Sequence, residues 1–335
     1  MDSSQTFSWS QLLYSILSLL GTLAAFVVFL NLLSYFSNFV SRYSIKRQFY
    51  FSILPDAEGN KQVLSRFSPV ILQINLHGMI GSDALNFDLI ASQLVESRLK
   101  GLGERIKGIL LHFDSPGGSV KDTDAIYRHL KAYKEKYQIP IYAYVEGYCA
   151  SGGLYIACAA DQIFASPSSI VGSVGVRHML PFFNVSKVLE RWDIGVKTLA
   201  AGKHKDHLNP FRPWKTGEES DLKGILEQTY NRFVEVVIQS RKKVKKEQLV
   251  EELGAQIFTA ADGVNIGFLD HGDSDRSMVL LEIAQAAGIK KGVPIQVIEL
   301  IKKKPWFKGM LENSPLFHGK IKIELSPISD EISYL

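Results

Sequence analysis

The chain has 335 residues, 46% hydrophobic and 21% charged, with 26 Gly, 12 Pro and 2 Cys. That length allows one large or two small domains with a real core, and the apolar content excludes a disordered chain. Thirty-eight Lys and Arg against 34 Asp and Glu leave a net charge of +4, too dilute a basic excess to point to nucleic acid. Cys149 and Cys158 are too few for a disulfide scaffold and lack zinc-site spacing, so buried free thiols are expected.

No charged side chain occurs between Asp2 and Arg42. Within that stretch Leu12–Leu33 reads LLYSILSLLGTLAAFVVFLNLL, and at 1.5 Å per residue it reaches about 33 Å, enough to span a hydrocarbon core. Trp9, Tyr14, Tyr35 and Phe36 flank it, as interfacial aromatics do. A cleaved signal peptide would need a basic leader and a shorter apolar run. Residues 1–41 are therefore read as a retained membrane anchor whose residues 12–33 contact lipid. Arg42, Lys46 and Arg47 follow the span, which by the positive-inside rule places the bulk of the chain in the cytoplasm.

Residues 42–68 are polar and mixed and read as a tether. From Pro69 a regular pattern begins. Strands are expected at 70–76, 106–113, 139–145 and 162–165, and helices at 87–99, 123–136 and 152–160. Such alternation implies right-handed crossovers and a mostly parallel sheet. Ligands then bind beyond the carboxyl ends of the strands, which directs attention to the turns at 114–119 and 146–153.

Further on, a short strand is expected at 195–199, a polar loop at 200–216 and a long amphipathic helix at 216–243. Its end, Arg241-Lys-Lys-Val-Lys-Lys246, reads as a solvated helix terminus that complements the dipole. A helix and strand at 259–270, a helix at 276–287 and β-like stretches at 295–301 and 320–324 complete the pattern. Residues 69–290 form the expected catalytic domain and 291–335 a tail.

Two turns carry chemistry. Asp114-Ser-Pro-Gly-Gly-Ser119 follows a buried strand, and its glycines let backbone N–H groups point into the crevice, which suits an oxyanion. Tyr148-Cys-Ala-Ser-Gly-Gly153 lies between the next strand and its helix. Small residues surround Ser151 there, and a helix N-terminus with free N–H groups lies close by. Ser151 as a plain N-cap is the bland alternative, and the paired glycine turn at the neighbouring strand end argues for more. A nucleophilic serine needs a base; His178, His204 and Lys205 all follow it, and the residues alone leave the choice open.

Together these residues resemble the signal peptide peptidase A / SohB (protease IV) family of membrane-anchored serine proteases, related in fold to the ClpP and crotonase group. The likeness covers about residues 70–290. DSPGG at 114–118 stands where the family has a strand-end turn of the oxyanion hole, with Asp114 in place of the usual Asn. ASGGLYIA at 150–157 matches the nucleophile motif, PSSIVGSVGV at 167–176 the stretch after it, and AGKHKD at 201–206 the lysine motif. GAQIFTAADGVNIGFLD at 254–270 matches the closing motif, with Ala260 where Gly is common.

The resemblance implies a ClpP/crotonase-like α/β core behind an N-terminal transmembrane helix. It implies a Ser-Lys dyad of Ser151 and Lys205 rather than Lys203, with Ser173 orienting the lysine and Gly117, Gly118 and Gly152 in the oxyanion hole. His178 becomes a bystander. It also implies a homo-oligomer in which Ser151 of one subunit meets Lys205 of its neighbour, with no cofactor and no metal. Cleaved signal peptides or other apolar, membrane-associated peptides are the expected substrates, at the bacterial plasma membrane in single-pass form. Family members work on the extracytoplasmic side, against the charge count, and the sequence leaves the side open. The rivals on the same fold are a crotonase-like acyl-CoA enzyme and a non-catalytic membrane scaffold.

Overall fold

The computed structural model describes residues 18–23, 25–34, 49–99, 101–303 and 332–334. Residues 18–23 and 25–34 are helical, with apolar side chains from Leu19 to Leu33 exposed. Residues 12–17 and 24 of the expected span lie outside the described residues. Among the described residues no helix is long and apolar enough to cross a membrane.

The rest of the chain, from Phe49, is built on a mixed sheet. Its strands β1 (Phe49–Leu54), β2 (Val70–His77), β3 (Ile106–Ser115), β5 (Ile141–Ala150), β7 (Ile170–Gly172), β9 (Ile257–Thr259) and β10 (Gln296–Lys302) run in the order β1-β10-β2-β3-β5-β7-β9. Off this path, β6 (Gln162–Ala165) pairs with β5. The central pairs are parallel, and β1 and β9 close the two ends antiparallel. A second, small sheet joins β4 (Gly118–Ser119), β11 (Ile332–Tyr334) and β8 (Arg177–His178) in that order.

Near-continuous apolar runs in β2, β3 and β5 suit strands covered on both faces. Leu72, Ile74, Leu111, Phe113, Ala143 and Val145 pack in the larger cluster, with residues of α1 (Phe87–Glu96), α2 (Val120–Tyr137), α3 (Gly152–Ala157) and α5 (Ser220–Ser240). Ile71, Leu110 and Tyr142 pack in a separate cluster with Val279, Leu280 and Ile283 of α7 (Arg276–Ala286). Each fully buried Leu, Ile, Val or Phe side chain among them contributes about 1.5–3 kcal/mol. Gly108 lets α7 approach closely, since a Cβ there would lie 2.3 Å from Ile283 Cγ2.

Side-chain caps set where the helices begin. Asn86 Oδ1 accepts from Leu89 N–H at the head of α1, and Ser119 Oγ accepts from Asp122 N–H at the head of α2. Asp122 in turn accepts from Phe87 N–H (2.9 Å), tying the two helix starts together. Gln138 ends α2 in the left-handed region at φ 52°.

The expected elements from 70 to 165 are all present, and the differences lie elsewhere. Residues 195–199 form no strand: they are exposed, and no ladder partner stands beside them among the described residues. β9 precedes the helix α6 (Ala260–Ile266) instead of following it. Within the stretch read as tether, Phe49–Leu54 pairs with β10, and β10 itself lies in the stretch read as tail, so the sheet extends past residues 69–290 at both ends. The stretch at 320–324 lies outside the described residues. At the end of α5 only the lysines are solvated. Arg241 is buried, donating to Gly267 O (3.0 Å) and to both oxygens of Asp270 (2.9 Å each), so it ties the closing motif to the helix.

Candidate active site

Strands β3 and β5 end side by side, and both chemical turns leave from there. Asp114 couples the turns: its Oδ1 accepts from Tyr148 N–H (3.1 Å), and its main-chain oxygen accepts from Gly78 N–H (2.8 Å). Gly147 gives the carboxylate room, because a Cβ there would lie 2.4 Å from Oδ1. Only an acceptor is used in this contact, so a carboxylate serves as well as an amide oxygen.

In the first turn Ser115 Oγ donates to Gly78 O (2.7 Å) and accepts from Gly117 N–H (3.2 Å). Gly117 O accepts from Ile80 N–H, and Ile80 O accepts from Ser119 N–H, both at 2.9 Å. This brings the 80s loop against Gly118, where a Cβ would lie 2.1 Å from Ile80 O at φ 152°. Gly118→Ala is expected to destabilise the protein by about 1–3 kcal/mol, through backbone displacement and conformational strain. A fall in the thermal midpoint of the purified variant checks this.

Ser151 sits where β5 turns into α3. Its backbone is strained for an L residue, at φ 53° and ψ −120°. Ser151 N–H donates to Gly172 O (2.8 Å) and Ser151 O accepts from Tyr155 N–H (3.1 Å), which holds the turn. The side chain does not cap α3: Ser151 is fully buried, and its Oγ has no hydrogen-bond partner among the described residues. A buried hydroxyl left unsatisfied costs about 1–3 kcal/mol. Gly152 cannot be replaced without a shift, because a Cβ would meet Thr123 Oγ1 at 2.6 Å. Thr123 Oγ1 is also buried without a partner, which makes a second orphan hydroxyl against the same turn. Nothing in the sequence marks Thr123, which reads as an ordinary residue in the first turn of a helix.

Cysteine chemistry is excluded at this turn. Both thiols are free and buried; burial pushes Cys149 well up and Cys158 up to about 11.

The other expected residues lie farther along. Ser173 follows β7 in the left-handed region at φ 57°, half-buried, with its N–H donated to Gln256 O (2.6 Å). His178, in β8, is engaged through Nδ1 with Leu180 O (2.9 Å) and packs on Phe182. Lys205 is exposed in the loop after residue 200, and no hydrogen bond or ion pair holds its amine among the described residues. Within one chain the structure therefore joins Ser151 with the glycine turns and does not join it with Lys205.

The segment from Met179 to Trp214 that carries Lys205 is an arm with little core of its own. The short helix α4 (Ser186–Arg191) buries no residue. Phe183, Trp192 and Leu199 are 69%, 72% and 85% exposed. Ion pairs fasten its base: Arg212 donates to Asp206 Oδ2 (2.5 Å) and to Glu218 Oε1 (2.7 Å), and Trp214 Nε1 donates to Asn209 O (2.9 Å). The Arg212 hydrogen bond holds Glu218 down at about 2 and is the main cause of the lowered Asp206 carboxyl. A carboxylate held below its unfolded value of 4.5 contributes stability above that pH and loses it as pH falls towards 2. Trp214 fluorescence is expected to report release of the arm base across that window. In Glu218→Gln the arm base should already be loosened at neutral pH. A wild-type signal flat across the window would contradict this.

The chain has relatives among known proteins. A family model described as peptidase family S49 matches residues 133–290, and one described as Clp protease matches residues 82–171. A Synechocystis sp. protein with a protease designation is 32% identical over 200 residues, which are 60% of this chain and 68% of that protein. One of like designation from Methanocaldococcus jannaschii is 31% identical over 215 residues, 64% of this chain and 63% of its own. A protein of Enterococcus faecium designated signal peptide peptidase SppA is 30% identical over 207 residues, 60% of this chain and 59% of its own. Together with the parallel central strands, these matches make the core a ClpP-like mixed α/β fold.

Proposed function

Because this chain belongs to peptidase family S49, the SppA/SohB family of serine peptidases, we propose that it is a membrane-anchored endopeptidase with a Ser151–Lys205 dyad. The observation that carries this reading is the strained, buried and unpartnered Ser151 in the second of two adjoining glycine turns. Lys205 Nζ takes the proton from Ser151 Oγ as Oγ attacks the peptide carbonyl carbon. Backbone N–H groups of Gly117 or Gly118, and of Gly152, donate to the oxyanion, each worth about 2.7–4 kcal/mol. The Lys205 ammonium then protonates the leaving amine as the C–N bond breaks. Water gives a proton to the same lysine as it attacks the acyl-Ser151 carbonyl carbon, and the lysine returns that proton to Ser151 Oγ as the ester C–O bond breaks.

Lys205 reaches the serine from a neighbouring copy, with Ser173 orienting its amine. Support comes from the exposure of Lys205 on an arm whose large apolar side chains lack cover among the described residues. A second copy of the same chain provides that cover in a homo-oligomer, and the site is incomplete without it.

The substrate is an extended peptide. Ile332–Tyr334 lies antiparallel between Gly118–Ser119 and Arg177–His178, so chain in the extended form is accepted on both edges by backbone pairing. A substrate strand takes this place next to Gly118. Anchoring by residues 12–33 at a bacterial plasma membrane makes apolar peptides, such as cleaved signal peptides, the accessible class. Hydrolysis of unfolded casein by the purified full chain tests the activity, and absence of cleavage would overturn it.

A further inference from the structure

His204 and His207 lie three residues apart on the lysine loop, and Asp221 stands in the first turn of α5. One donor atom from each lies within 4.8 Å of the others. His204 Nδ1 is 2.7 Å from Asp221 Oδ2, and the two imidazole rings stack with centroids 4.3 Å apart and planes 14° off parallel. His204 sits in the left-handed region at φ 67°, with its carbonyl accepting from His207 N–H (3.0 Å), so the turn itself sets the pair side by side. The loop behind it is held by Arg212 through Asp206. Lys205 lies between the two histidines in sequence.

Two imidazoles and one carboxylate on the surface form a ligand set for a borderline divalent transition ion, with a fourth position left to water. Hard cations such as Mg²⁺ prefer all-oxygen sites and fit it poorly. We propose that His204, His207 and Asp221 bind Zn²⁺ or a like ion, and that the bound ion pins the Lys205 loop and inhibits the enzyme. The inhibitory part rests on Lys205 as general base; the binding part does not. Ligand atoms within 4.8 Å of one another, one pair already at 2.7 Å, need only small side-chain rotations to reach a common ion, which then ties the loop to the start of α5. Held there, Lys205 loses the freedom to enter a neighbour's site.

Calorimetric titration of the metal-free full chain with ZnCl₂ should give one site per chain. Replacing Zn²⁺ by Co²⁺ should give the intense visible bands of a tetrahedral site. His207→Asn and Asp221→Asn should each weaken binding at least about tenfold, the loss that follows removal of a group that merely orients a ligand, while His129→Asn on α2 should bind as wild type. Casein turnover by the wild type should fall on Zn²⁺ addition and recover with chelator, and turnover by His207→Asn should be insensitive to the same Zn²⁺. Variants that bind as tightly as wild type would overturn the site. Binding without inhibition would overturn the regulatory role. A wild type inactive without metal would instead count against the peptidase reading and leave the calorimetric result standing.

Discussion

Ser151→Ala is expected to abolish casein hydrolysis while leaving the protein folded and at least as stable as wild type. The loss should be on the order of 10⁶-fold in kcat, the scale known for removing a nucleophilic serine. The stability expectation comes from the same atom. Ser151 Oγ is buried without a hydrogen-bond partner, so deleting it removes an unsatisfied polar group and no hydrogen bond. Alanine occupies the positive-φ position no worse than serine does. A cap serine would behave in the opposite way, since losing a helix cap costs about 0.5–2 kcal/mol and leaves chemistry untouched. Thermal unfolding and casein assays on one preparation separate the two, and retained hydrolysis would remove Ser151 from the mechanism.

Substitution of the two competing bases should give opposite results. Lys205→Met keeps the length of the side chain and removes the amine, so turnover should fall by at least about 10²–10⁴-fold, the contribution of general base catalysis. His178→Asn should remain largely active, because its Nδ1 is engaged by Leu180 O and its ring packs on Phe182. The reverse outcome would favour a Ser-His mechanism. Co-assembly of Ser151→Ala with Lys205→Met chains adds a geometric test: if the dyad spans two subunits, some interfaces pair an intact serine with an intact lysine and activity returns. A dyad within one chain would leave the mixture dead.

The core was legible because local pattern and tertiary role agree there. Val70–Leu76, Ile106–Phe113 and Ile139–Val145 read as buried strands, and each lies in the parallel sheet. Both glycine turns were legible as well, since positive φ at Gly117, Gly118 and Gly147 leaves its mark in residue type. The strand expected at 195–199 misled, because β-propensity needs a neighbour and none is present among the described residues. Arg241 misled for a related reason. Within a run of basic residues it looks solvated, and only the fold brings Asp270 and Gly267 to it. The sheet positions of β1 and β10 were likewise hidden, because their pairing joins segments more than two hundred residues apart.

The sequence by itself determined the α/β class, the two strand-end turns and the residue types offered to catalysis, since these follow from periodicity and from glycine at positions other residues cannot occupy. Only the tertiary structure decided that Ser151 Oγ is buried and unpartnered, that Asp114 locks one turn to the other, and that Lys205 stands out on an exposed arm. Those properties are made by neighbours brought from distant parts of the chain, and no local run of residues encodes them.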